Sequence, residues 1–186
     1  MKGFFLKELF FCGKIKRMGK KILFYFTLFL FVLAICLNAD KFDYDLWARL
    51  IAGMGVVDGG HVLKADFLSY TPVHVWYDHE WGSGVVFYLF LKYFGAFGTI
   101  LLQTILMFGT SIFVIKTQKL QKPKYPTSLL FINVFLALFY HVNSSGIRCH
   151  LFSFFFFSLF LYLMEKLRKN YATNAIWIIP PAVIIW

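Results

Sequence analysis

Acidic residues are scarce in this sequence: nine Asp and Glu stand against 19 Lys and Arg in 186 residues. None of the nine lies inside an apolar run, which argues against a transporter half, because ion-coupled carriers usually bury a carboxylate within a span. Cysteine is rarer still. Cys12, Cys36 and Cys149 are scattered with no CxxC pair, which excludes a disulfide framework and a cysteine zinc site. Soluble-protein composition is also missing: 60% of residues are hydrophobic, 22% are aromatic, 25 are Phe, and mean hydropathy is +0.68. Such a chain belongs in a bilayer. The formal charge of +10 does not point to nucleic acid, because the basic residues fall in short clusters between apolar runs, not on one face beside stacking aromatics.

What is present is a series of apolar runs. Residues 1–21 carry seven basic residues and the single acid Glu8, a cytoplasmic basic segment that could lie on a membrane surface as a short amphipathic helix. Residues 22–39 form the first expected span, close to the roughly 20 residues a crossing needs. A cleaved signal peptide is disfavoured, since Leu37 and Ala39 make a poor small-x-small site and Ile35 before Cys36 departs from a lipoprotein box. Residues 85–115 are too short for two crossings of about 20 residues each. They are therefore divided at Gly95 and Gly98 into an interfacial helix, 85–98, and a second span, 99–115. A basic turn at 116–126, a third span at 127–141, a polar turn at 142–150, a fourth span at 151–164 and a charged segment at 165–174 follow. The apolar run at 175–186 is the start of a fifth span, so an incomplete bundle is expected. The positive-inside rule then places the amino terminus, 116–126 and 165–174 in the cytoplasm, and 40–84 and 142–150 outside. The fold class is thus an all-α polytopic membrane protein with a large first external loop.

Residues 40–84 hold seven of the nine acids and three of the five histidines, and loops that concentrate titratable groups commonly carry a protein's chemistry. Asp43 and Asp45 stand where a helix over 44–52 leaves the bilayer. One reading makes them caps, with Asp45 and Arg49 as an i,i+4 ion pair. The other makes one of them a partly desolvated general base, able to take a proton from an attacking hydroxyl. Downstream, Asp78, His79 and Glu80 lie among Trp76, Tyr77 and Trp81, aromatics of the kind that anchor at headgroup level. His61, His74 and nearby carboxylates are chemically compatible with a divalent ion, but no spacing demands one and no cofactor is expected.

The loop also resembles the first external loop of bacterial multi-spanning proteins related to GT-C glycosyltransferases. Asp43, Asp45, Trp47, Arg49, Leu50 and Gly53 follow a D-x-D-x-W-x-H/R-L-x-x-G pattern. Asp66, Ser69, Tyr70 and Thr71 follow D-x-x-S-Y-T, and Trp76, His79, Glu80 and Trp81 complete it. The resemblance implies a GT-C-like bundle in the bacterial inner membrane. It also implies transfer of a sugar from a polyprenyl-phosphate donor to an acceptor at the outer face, with inversion. It makes Asp43 or Asp45 the general base, with Glu80 or His79 positioning acceptor or donor. A basic residue must meet the donor phosphate, and Arg49 and Arg148 are the external arginines suited to it by their planar fork. The alternative is a non-catalytic membrane subunit whose external loop binds a partner protein.

Overall fold

The computed structural model describes residues 2–37, 44–64, 78, 80–121, 147–169 and 177–185. Asp43, His79 and the expected third span at 127–141 lie outside them. Apart from short connections, the described residues are helical: α1 Lys2–Leu37, α2 Tyr44–Val57, α3 Trp81–Phe94, α4 Ala96–Gln121, α5 His150–Arg168 and α6 Ile179–Ile185. Three stretches are long and apolar enough to cross a membrane, namely Met18–Leu37 in α1, Ala96–Gln121 and His150–Arg168. The chain is therefore a membrane protein.

Several boundaries differ from the sequence reading, each for a local reason. The basic segment and first span form one 36-residue helix, because Lys and Arg are good helix formers and no proline stands between them to break the ladder. The helix after Asp43 runs on to Val57 and closes at Gly60, whose φ of 72° suits glycine and whose N–H donates to Val56 O at 3.2 Å. The break expected near Gly95 and Gly98 falls at Gly95, with φ 63° and its N–H on Leu91 O at 2.8 Å. Beyond it, α4 continues past Lys116 and Lys119 to Gln121, since lysine stems can cover apolar surface while their ammonium groups reach water. In α5, Arg168 holds Glu165 through both carboxylate oxygens at 2.8 and 2.7 Å, which carries the helix through the charged cluster. Pro180 and Pro181 fit the first turn of α6, where no intrahelical N–H bond is lost.

Helix α4 is the element the others share. Its first half doubles back on α3: a Cβ on Gly98 would lie 2.0 Å from Phe90 O, so only glycine lets the two helices close here. Farther along, Met107 meets Cys36 near the end of α1 at 3.8 Å, and Lys119 lies 3.5 Å from the Tyr25 hydroxyl, so α1 and α4 run antiparallel. α5 runs parallel to α4, with Phe113 edge-on to Phe155 and Lys116 over Tyr162.

The tightest pairing is α2 on α3. A Cβ on Gly53 would lie 2.1 Å from Gly84 O, and one on Gly84 would lie 2.5 Å from Arg49 O. Both helices run the same way, because Asp58 past the end of α2 reaches Tyr88 and Lys92 on α3, with Lys92 Nζ 2.6 Å from Asp58 Oδ1. Parallel neighbours need a long return connection, and residues 58–80 supply it. Leu46 and Leu50 of α2, Phe87 of α3, Leu102 and Leu106 of α4, and Ile147 and Leu151 at the start of α5 form one core. The buried hydroxyls of Thr99 and Thr104 donate to Ala96 O and Ile100 O on their own helix, which removes the penalty for burying them.

Candidate functional site

That shared core brings the starts of α2, α3 and α5 to one place, and each start carries charge. Asp45 and Arg49 lie on the first turns of α2, Asp78 and Glu80 precede α3, and Arg148 and Cys149 precede α5. The span of α1 ends at Leu37 and that of α5 begins at His150, so the cluster lies at their common end.

Arg49 is its hub. The guanidinium Nη1 donates to Asp78 Oδ1 and stands 3.5 Å from Glu80 Oε2. The Asp45–Arg49 pair expected from i,i+4 spacing is not formed. An exposed helical pair is worth only a few tenths of a kcal/mol, whereas Asp78, 3% exposed, would be a buried charge without a cation. The arginine turns inward to the more costly carboxylate. Asp78 Oδ1 also accepts the Glu80 N–H at 3.0 Å, an Asx-type turn that brings the chain into α3. Asp78 Oδ2 is buried and accepts no hydrogen bond among the described residues.

Asp45 faces Arg148 instead, with Oδ2 4.0 Å from Nη1. Its side chain is 68% exposed, so the partly desolvated carboxylate expected here is replaced by an open one beside a guanidinium. Glu80 is more confined: Oε1 accepts the Cys149 Sγ–H at 3.2 Å while Oε2 faces Arg49. Burial, and then the adjoining Glu80 carboxylate, push the Cys149 thiol up to about 11, so at neutral pH it is a fixed proton donor to Glu80.

Of the sequence-predicted site residues, the structure brings Asp45, Arg49, Glu80 and Arg148 together, while Asp43 and His79 fall outside the described residues. Sequence reasoning gave no role to Asp78 as the partner of Arg49 or to Cys149. The D-x-E spacing just before a helix start was a readable signal for the first; a lone cysteine offered none for the second. His61 is exposed, with Nδ1 2.8 Å from Gly59 O, and among the described residues no three His, Cys, Asp or Glu side chains converge as a metal centre.

Chemically, the cluster combines two guanidiniums from separate segments with one open carboxylate and two engaged ones. Planar forks of this kind suit a phosphate, and an open carboxylate can accept a proton. Compared with known proteins, the chain matches no protein family, no curated sequence and no solved structure.

Proposed function

We propose that the chain acts as a membrane glycosyltransferase of GT-C type. The reaction moves a sugar from a polyprenyl-phosphate donor to an acceptor at the outer face of a bacterial inner membrane, with the amino terminus in the cytoplasm. The observation that carries this reading is the meeting of Arg49 and Arg148 with Asp45 and Glu80, from three separate segments, where two apolar helices end. In this reading Arg148 and Arg49 hold the donor phosphate. Asp45, or Asp43 just before it, takes the proton of the acceptor hydroxyl as its oxygen bonds to the sugar's anomeric carbon. The bond from that carbon to the phosphate oxygen breaks, and polyprenyl phosphate leaves with the electron pair. Arg148 is well placed for an exchange of partners, since Asp45 is the carboxylate a phosphate would displace.

The test is transfer of radiolabelled sugar in membranes containing Asp43→Asn, Asp45→Asn and the double variant, each checked for insertion. Loss of the base should lower the rate roughly 100-fold or more. Full transfer in all three variants would remove the catalytic assignment.

The alternative, a non-catalytic subunit, is favoured by a different observation: Tyr44, Trp47 and Trp81 stand exposed around the cluster, and aromatics are the usual anchors of protein interfaces. That reading expects a co-purifying partner to be lost on Trp47→Ala or Trp81→Ala, with Asp45→Asn silent.

A further inference from the structure

At the opposite end of the three apolar helices, lysines gather on aromatic rings. Lys116 of α4 stands 5.7 Å from the Phe113 centroid and 5.6 Å from that of Tyr162 on α5. Lys166 approaches the same Tyr162 ring at 5.3 Å, and Lys119 lies 5.7 Å over Tyr25 of α1. Lys20 and Lys21 precede Tyr25 by about a turn and are exposed. Beside these lysines, Glu165 is held by Arg168 through both oxygens, and among the described residues no carboxylate pairs with Lys116, Lys119 or Lys166. Two ammonium groups from different helices therefore converge on one phenol with no counter-anion among the described residues.

We infer that Lys116 and Lys166, on the Tyr162 ring, bind the phosphate headgroup of an anionic phospholipid. The ligand chemistry follows from the donors: ammonium groups and tyrosine hydroxyls at the end of apolar helices, where snorkelling lysines reach headgroup depth. A lipid fits better than free phosphate because the lysines stand at the ends of helices long and apolar enough to cross a membrane, where a headgroup is held in place by its own acyl chains. The phosphate would bridge Lys116 and Lys166, with its acyl chains in the surrounding bilayer. The inference needs only the three spanning helices and is independent of the glycosyltransferase reading.

The experiment is reconstitution of the full chain in nanodiscs of equimolar phosphatidylglycerol and phosphatidylcholine, followed by extraction and mass spectrometry of retained lipid. Phosphatidylglycerol should be retained preferentially. Lys116→Gln with Lys166→Gln should reduce that preference by roughly fivefold per lysine, while Lys20→Gln with Lys21→Gln, which removes the same charge, should leave it within about twofold. If the double variant does not insert, Lys166→Gln alone carries the test with its single-lysine loss. Equal retention of both lipids by the natural chain would overturn the inference. So would an equal loss in the Lys20 and Lys21 variant, or full displacement of lipid by inorganic phosphate.

Discussion

Among single residues, Asp78 and Asp45 separate two kinds of carboxylate. Removing Asp78 leaves Arg49, whose side chain is 16% exposed, without its main partner, so Asp78→Ala should lower stability by about 3 kcal/mol. Asp45→Ala breaks an open contact at 4.0 Å and should cost about 1 kcal/mol or less. Thermal unfolding in detergent measures both. Cys149 gives a pH prediction. Its folded-state pKa, about 11, lies above the ordinary thiol value of about 8.5, so the folded state favours the protonated form. The stability this provides is complete below the ordinary value and disappears as pH rises toward 11. Alkylation of Cys149 should accordingly be slow at pH 8.5 in the folded protein. Glu80→Gln removes the adjoining negative charge and should speed it, though burial, the larger cause, remains.

For the helices, the α2–α3 crossing depends on two glycines. Gly53→Ala or Gly84→Ala puts a methyl group 2.1 or 2.5 Å from backbone oxygen, which a rotamer change cannot relieve. A loss of about 2 to 3 kcal/mol is expected, together with loss of the Arg49–Asp78 contact. Gly19→Ala meets nothing within 4 Å and should change stability by no more than about 1 kcal/mol. At the far end of the same helix pair, Lys92 and then the Tyr88 hydroxyl hold the Asp58 carboxylate below its usual pKa. A depressed carboxylate stabilises the fold above its unfolded pKa and ceases to as pH falls through the folded one. Carbon NMR of labelled aspartate should show Asp58 titrating below the free side chain, and Lys92→Gln should raise its midpoint.

Among the described residues α4 is the shared element: α3 packs on its first half and carries α2, while α1 and α5 lie along its later turns. Cysteine labelling from the two sides of the membrane tests the topology read from charge. Positions in 40–64 are expected on the outer side, and positions near Lys116 and Lys166 on the inner. Labelling of 40–64 from the inner side would put the Asp45 cluster where the proposed donor and acceptor are not.

Read alone, the sequence already makes the chain helical and membrane-bound. Apolar length and the segregation of lysine from aspartate are properties of each segment alone, and they pointed to the apolar stretches within α1, α4 and α5, whose helices run on beyond them. It also indicated Arg49, Arg148, Asp45 and Glu80 as residues of interest. Who pairs with whom emerges only in three dimensions. Helical spacing offered Asp45 to Arg49, but the close approach of Gly53 and Gly84 brings Asp78 to that arginine, and the shared core at Leu106 and Ile147 brings Arg148 to Asp45. Ion pairs between distant segments follow from how helices cross and what becomes buried, and neither is a property of any one stretch of chain.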